Sequence, residues 1–288
     1  MSDIDFSIVI PAKNEAENLA NLLPEIRKLY PSVDVVVVND GSTDNTIEVC
    51  ERNNVRVVTH NYSRGNGASI KTGARNAKSK TILFMDGDGQ HKPEDISRLL
   101  DAYDGGADMV VGARDSKSQA SLGRLFANSL YNRLSSWISG YGIKDLTSGF
   151  RLVDRSKFLQ FLYLLPNGFS YPTTCTMAFC RAGYDVTYIP IETADRLGKS
   201  HISLVKDGLR FLIIIFKIGT LYSPLKIFVP FSMTFFLTGL AYYAYTYITS
   251  HTFTNMSAVL FITSIIVFLI GLVSEQVTIL MYKDHQVD

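Results

Sequence analysis

Two runs near the carboxyl end restrict what this chain can fold into more than any other feature. Ile227 to Ser250 holds no formally charged residue over 24 positions, and Thr252 to Ser274 holds none over 23. As helices, both are long enough to cross a hydrocarbon core about 30 Å thick. Helices of this length in a soluble core need a polar stripe on their outer side, and neither run has one. The turn between them, Ser250-His251-Thr252, carries no Lys or Arg, whereas Lys217 and Lys226 precede the first run and Lys283 follows the second. The positive-inside rule therefore predicts a multi-pass hairpin, spans about 227–249 and 254–280, with both termini cytoplasmic.

The stretch before the hairpin reads differently. Lys206, Arg210 and Lys217 fall at i, i+4 and i+11, among Leu204, Leu209, Phe211, Leu212, Ile214, Ile215, Phe216 and Ile218. Such a segment is too interrupted to span and suits the membrane interface, with cations toward anionic headgroups; packing onto a globular domain is the alternative. Glu275 falls late in the second run, at headgroup level or in a helix contact rather than on a proton path.

From Phe6 to about Pro190, short β-branched runs alternate with helical patterns. The runs are Phe6–Ile10, Val33–Val38, Val55–Val58, Thr81–Met85, Met109–Val111 and Val186–Ile189, and Leu19, Leu22, Leu23, Ile26 and Leu29 recur at helical spacing between the first two. Nearly continuous apolar strands separated by amphipathic helices predict an α/β fold with a mostly parallel sheet covered on both faces. The expected organisation is a globular domain over 1–200, an interfacial segment over 201–225 and the hairpin over 226–283. A net charge of +1 gives no global field for nucleic acid. Cys50, Cys175 and Cys180 form no even framework and no metal-type cluster, which fits a reducing compartment. The start, with Asp3 and Asp5, lacks a signal-peptide pattern, so the globular part is expected on the cytoplasmic side of the cell membrane.

The chemistry concentrates in turns that follow apolar runs. Thr81-Ile82-Leu83-Phe84 leads into Met85-Asp86-Gly87-Asp88-Gly89-Gln90-His91. Two carboxylates one residue apart at the end of a strand reach the edge where open α/β sheets bind ligands, and a divalent cation held there offsets the charge of a diphosphate. Taken alone, such acids equally serve as turn and N-cap residues. Asn39-Asp40-Gly41-Ser42-Thr43-Asp44 ends another strand with an acceptor for nucleobase N–H groups, a glycine that admits a ligand and caps for the next helix. Pro11-Ala12-Lys13-Asn14-Glu15 ends the first strand on the same edge. Gly65-Asn66-Gly67 with Lys71 and Gly73 has a phosphate-loop flavour but lacks the Gly-Lys-Ser/Thr ending, and no GxGxxG follows the first strand, which excludes P-loop NTPases and ordinary dinucleotide enzymes. Arg114, Arg124, Arg151 and Arg196 would suit phosphate if they converge, since a guanidinium fork matches phosphate oxygens.

The ordered set Pro11–Glu15, Asn39–Ser42, Asp86–His91, Gly112-Ala113-Arg114, Thr147-Ser148-Gly149-Phe150-Arg151 and Gly198-Lys199-Ser200 resembles the successive motifs of family-2 glycosyltransferases, in particular those acting on polyprenyl phosphates. The resemblance spans nearly the whole chain. It implies a GT-A fold, a nucleotide-diphosphate sugar donor, Mg²⁺ or Mn²⁺, a lipid-phosphate acceptor and a homo-oligomer such as a tetramer. By motif position, Asp40 reads the base. Pro11, Ala12, Asn14, Glu15, Gly41, Ser42 and Lys71 line the nucleotide site, and Asp86 and Gly87 lie by the ribose and diphosphate. Asp88 and Gln90 hold the metal, Arg114, Arg124 and Ser148 bind phosphate of donor or acceptor, and Arg196 and Lys199 close on the donor.

Three positions depart from the family pattern: Asn39 for a first acid, His201 for a common lysine and Asn66 for a frequent lysine in the glycine turn. A phosphate monoester is largely ionised at neutral pH, its second pKa being about 6, so no general base is needed. Asp145 is the best-placed carboxylate and is expected to orient a neighbour such as Arg151. The rival readings are a glycosyltransferase with another membrane acceptor, whose hydroxyl would need a base, and a membrane-tethered scaffold with a decayed site. A processive synthase is disfavoured by two spans and by the lack of a Gln-x-x-Arg-Trp string.

Overall fold

A computed structural model describes residues 4–114, 122–168, 171–193, 216–217 and 219–283. Inter-residue contacts divide the chain into two compact units, Met1–Arg133 with Tyr141–His201, and Leu134–Gly140 with Ile202–Asp288.

The first unit is a seven-stranded sheet with helices. In chain order its elements are β1 (Phe6–Ala12), α1 (Ala16–Leu29), β2 (Asp34–Asn39), α2 (Thr46–Arg52), β3 (Arg56–Thr59), α3 (Asn66–Asn76) and β4 (Thr81–Phe84). A 3₁₀ turn, Pro93–Asp95, leads into α4 (Ile96–Asp104) and β5 (Met109–Arg114). Then come α5 (Leu122–Ser139), whose residues from Leu134 onward belong to the second unit, β6 (Arg151–Asp154), α6 (Arg155–Gln160), α7 (Tyr171–Arg181) and β7 (Val186–Ile191). The strand order is β3-β2-β1-β4-β6-β5-β7. Among the described strands only β6 runs antiparallel to its neighbours, with Phe84 opposite Arg151 and Val111 opposite Arg151. Sequence periodicity anticipates every strand except β6, whose four residues Arg-Leu-Val-Asp are too short to show a period. The all-β-branched core of β2, Val35 to Val38, is fully buried because helices cover both faces. Leu19, Leu22, Leu23 and Ile26 of α1 are the residues that pack on it.

In the second unit, α8 (Pro224–Ser250) and α9 (Asn255–Lys283) form an antiparallel hairpin, both long and apolar enough to cross a membrane. His251, at φ 49°, ends α8 in the left-handed conformation that closes a helix, and its N–H donates to the Tyr247 carbonyl. Small residues seven apart form the seam: Ser232, Gly239 and Thr246 on α8; Ser257, Ser264, Gly271 and Thr278 on α9, the serines and threonines under 9 % exposed. Ser232 Oγ donates to Ser264 O and Ser264 Oγ to Ser232 O, each at 2.9 Å. Within lipid, where apolar burial drives little association, close backbone approach and such bonds hold the pair. Glu275 sits in a helix contact, accepting from the Leu225 N–H at the start of α8. Most of the expected interfacial stretch, with Lys206 and Arg210, lies outside the described residues.

Candidate active site

The chain runs β1, β2, β3 outward in one direction, then returns to place β4 on the other side of β1, so the sheet changes direction between β1 and β4. Ligands bind at the carboxyl edge beside such a switch. β1, β2, β4 and β5 all end on that edge and β6 begins there, which brings the turns after Ala12, Asn39 and Phe84 and the β5 end residue Arg114 together with Ser148-Gly149-Phe150.

The first two turns are stitched to each other. Asn14, at φ 55°, donates its N–H to Ser42 Oγ and accepts from the Thr43 N–H. The Glu15 N–H donates to Thr46 Oγ1 and the Ala16 N–H to Asp44 Oδ2, while Asp44 Oδ1 accepts from the Thr46 N–H, so Asp44 caps α1 and α2 together. Asn39 is inside the turn, its Oδ1 accepting from the Ser42 N–H.

Asp40 is 4 % exposed and its carboxylate is saturated. Oδ1 accepts from His60 Nδ1 at 2.7 Å and the Arg64 N–H at 2.8 Å; Oδ2 accepts from Ser63 Oγ at 2.8 Å and the Gly65 N–H at 2.9 Å. His60 Nε2 lies 2.9 Å from Thr72 Oγ1 on α3. Burial opposes the charge, but these donors outweigh it and lower the carboxyl to about 2. In this structure Asp40 therefore latches the 60–65 loop instead of presenting an open acceptor to a base.

The glycine turn is likewise occupied by protein. The Gly67 and Ala68 N–H groups at the start of α3 donate to the carbonyls of Gly168 and Asn167. A Cβ at Gly67 would lie 2.0 Å from Pro166 O, so only glycine permits the approach. Lys71, expected at the nucleotide, instead donates to Leu165 O at 2.8 Å. A helix terminus capped in this way has no free N–H pair for phosphate.

The acidic turn is partly exposed at Asp86, Asp88 and Gln90, and Asp88 Oδ1 accepts from the Gln90 N–H. Asp86 rests on Gly149, where a Cβ would come within 2.4 Å of Oδ2. His91 stacks on Phe150 with ring centroids 5.0 Å apart, and burial pushes its pKa down to about 4, so it is neutral at pH 7.

Asp145 pairs with Arg114, a correction to the expected Arg151. Arg114 Nε donates to Oδ2 at 2.8 Å and Nη2 to Oδ1 at 3.0 Å; Nη2 also reaches Thr147 Oγ1 at 2.5 Å. Burial opposes the Asp145 charge, but the guanidinium outweighs it and holds the carboxyl below its ordinary range. That clamp uses Nε and Nη2, and among the described residues no acceptor is paired with Nη1. Arg151 is 0 % exposed and faces the core. It donates to the carbonyls of Ser148 and Pro172 and to Thr176 Oγ1, and its guanidinium lies 5.7 Å from the centre of the Tyr171 ring. It braces the Ser148–Gly149 backbone and does not reach the cleft. Ser148 is buried, its Oγ accepting from the Phe150 N–H. Arg124 lies in α5, its side chain not described; Arg196, Lys199 and His201 lie outside the described residues. Sequence reasoning passed over His60 and Ser63 as site residues and gave Thr147 and Gly149 only as members of a motif, since a hydroxyl, a histidine or a glycine in a loop has no assigned role until its partner is located.

A mostly parallel sheet with one reversed strand and a partly exposed Asp-x-Asp turn at its switch point is an architecture of the GT-A type. Residues 7–162 match the model for glycosyl transferase family 2, and 223–280 match the GtrB C-terminal hairpin; the chain belongs to glycosyl transferase family 2. It is 31 % identical over 213 residues to polyprenol monophosphomannose synthase of Mycolicibacterium smegmatis, covering 68 % of this chain and 80 % of that one. It is 30 % identical over 217 residues to undecaprenyl-phosphate mannosyltransferase of Micrococcus luteus, covering 68 % and 86 %. The fold matches glucosyl-3-phosphoglycerate synthase of Mycobacterium tuberculosis, solved with Mn²⁺ and UDP-glucose, at a TM-score of 0.59 and 18 % identity over 74 % of this chain and 79 % of that chain.

Proposed function

We propose that this protein moves one sugar from a UDP- or GDP-linked donor to a polyprenyl phosphate at the cytoplasmic face of the cell membrane, with inversion at the anomeric carbon. The observation that carries this reading is the Arg114 clamp. A guanidinium fixed by Asp145 lies within electrostatic reach of both Asp86 and Asp88, so phosphate oxygens between them meet a cation on one side and a carboxylate pair on the other. The carboxylates and the Gln90 amide are hard oxygen donors of the kind Mg²⁺ and Mn²⁺ prefer, and the fold neighbour binds Mn²⁺ with its donor. Asp88 and Gln90 would hold the ion, with Asp86 beside it; bound there, it would supply charge neutralisation to the departing diphosphate.

The chain's own residues then position the reactants. Arg114, through Nη1, and Arg124 by motif position bind the phosphates, while Ser148, buried with its Oγ accepting from the Phe150 N–H, shapes the loop beside them. The acceptor oxygen arrives already ionised, so no side chain has to take a proton. Asp145 is unsuited to that task in any case, because its oxygens are committed to Arg114 and the carboxyl stays ionised. Two helices matching the GtrB hairpin support anchoring in the bilayer where the acceptor resides, and homo-oligomerisation of that hairpin belongs to the same reading.

The test is transfer from labelled UDP- and GDP-sugars to undecaprenyl phosphate in detergent, with Mn²⁺ and with EDTA. A metal-dependent, acid-labile lipid product is expected, and Asp88→Asn should remove it while the protein melts unchanged. Full turnover by Asp88→Asn removes the metal assignment; a product only with a hydroxyl acceptor removes the phosphate one.

A further inference from the structure

The acidic turn is docked near both of its ends on one short segment, Ser148-Gly149-Phe150, which is itself held by three contacts. The Gly112 N–H on β5 donates to Phe150 O at 2.9 Å, and a Cβ at Gly112 would lie 2.7 Å from Phe150 Cδ1, so the buried ring packs directly on the β5 backbone. Tyr171 Oη donates to Gly149 O at 3.2 Å, and the buried Arg151 donates to Ser148 O. At one end of the turn Asp86 rests on Gly149; at the other His91 stacks on Phe150 with 18° between the rings. Asp88 and Gln90 lie between those two anchors. The same segment runs back into the arginine clamp. The Thr147 and Ser148 N–H groups donate to Asp145 Oδ1 at 3.0 and 3.2 Å, and the Phe150 N–H donates to Ser148 Oγ.

A histidine beside two carboxylates invites a reading as acid, base or ligand, and its surroundings speak against one. His91 is 6 % exposed, and its Nδ1 is buried without a hydrogen-bond partner among the described residues. A histidine that works through one nitrogen has its tautomer fixed by an acceptor on the other. A buried polar atom left unpaired also costs free energy that a carbon in its place does not. A ring used for its face needs only a second ring, and Phe150 supplies it. Their centroids are 5.0 Å apart, inside the span of about 4.5–7 Å that aromatic pairs favour.

We propose that His91 is a positioning residue that acts as an aromatic plate: its ring on Phe150 sets the spacing between the Asp88–Gln90 arm and the Arg114–Asp145 clamp, and its nitrogens are not required. The inference rests on reading those two elements as cation arm and phosphate clamp. A cation on the arm and the Arg114 guanidinium must meet the phosphates between them, so a shift of about 1 Å in the arm misplaces one charge against the other. Gly149 fixes the start of the arm through Asp86. Without the His91 stack its far end, which carries Gln90, has no such anchor on the segment.

The test compares His91→Phe, which keeps a ring without nitrogen, with His91→Gln, which keeps a polar end without a ring, and with His91→Ala. Each is made in the full chain in detergent. Mn²⁺ binding is read from the EPR signal of the free ion, with UDP and with GDP present and no acceptor, beside melting and the kcat and KM of transfer. His91→Gln and His91→Ala are expected to bind Mn²⁺ about 10–100-fold more weakly and to raise the donor KM. His91→Phe is expected to rescue both and to melt at or above the parent, because the unpaired nitrogen is gone. If His91→Ala does not fold, His91→Phe against His91→Gln decides the matter. A His91→Phe variant that melts like the parent yet binds Mn²⁺ as weakly as His91→Gln assigns the role to a nitrogen and overturns the inference. Parent-like Mn²⁺ binding by His91→Gln overturns it too, since the stack then positions nothing. Transfer by the parent that EDTA leaves unchanged removes the cation arm itself, a failure of the functional reading that takes this inference with it.

Discussion

Asp40→Asn separates a latch from a base reader. An asparagine keeps one acceptor and gains an NH₂. With its oxygen toward Ser63 Oγ and the Gly65 N–H, the NH₂ faces His60 and the Arg64 N–H. His60 adapts by carrying its proton on Nε2 and donating to Thr72, but the Arg64 N–H is stranded; turned the other way, the Gly65 N–H is stranded. One lost backbone partner costs about 1–3 kcal/mol, and the charge assistance removed from the remaining bonds brings the loss to about 2–4 kcal/mol. In a domain of this size that lowers the melting temperature by about 4–16 °C. The pH dependence has a definite sign. The carboxyl titrates at about 2 when folded against an ordinary 3.8, so its stabilisation is complete above about pH 4 and is lost as the pH falls toward 2. That difference corresponds to about 2 kcal/mol. The gap between wild type and variant should therefore be widest at neutral pH and shrink in acid. Melting of the full chain in detergent, followed by circular dichroism at pH 7 and pH 3, with the donor KM measured beside it, reads the outcome. An unchanged melting temperature with a raised donor KM would refute the latch and return the carboxylate to base recognition.

Other substitutions probe the remaining contacts. Arg114→Lys and Asp145→Asn each break the two-point pair; losing a charged hydrogen bond worth about 1.5–3 kcal/mol lowers kcat/KM by about 10–100-fold, and the double variant should fall little further because the two act as a unit. Gly67→Ala gains helix propensity but drives a Cβ into the Pro166 carbonyl, so a net loss of about 2 kcal/mol is expected in melting experiments, whereas Gly142→Ala, with nothing within 4 Å, should melt like the parent. In the hairpin, Ser232→Ala should cost about 0.6 kcal/mol per lost bond in a membrane unfolding assay; Gly271→Val, whose Cβ would sit 2.6 Å from Phe228 Cβ, should cost more.

Much of this protein is legible in its residue order, because the physics involved is local or periodic. Charge-free runs of 24 and 23 residues declare the hairpin. Valine runs between amphipathic helices declare a parallel sheet, and turns that follow apolar runs place Asp86 and Asp88 on its ligand edge. Partnership is what only the tertiary structure decided, since it depends on which groups meet across 20 to 100 residues of chain. Asp145 takes Arg114 because the end of β5 faces the loop before β6, while Arg151, six residues from Asp145, points into the core. Asp40 turns inward because the 60–65 loop supplies four donors to it. Lys71 and the glycine turn are taken up by the Leu165–Gly168 backbone, and the end of α5 joins the hairpin through Lys226. Hydrophobic spacing determines elements and their faces; the pairing of buried polar groups waits for the fold, because a carboxylate or guanidinium leaving water takes whichever donors and acceptors the packed chain brings within 3 Å.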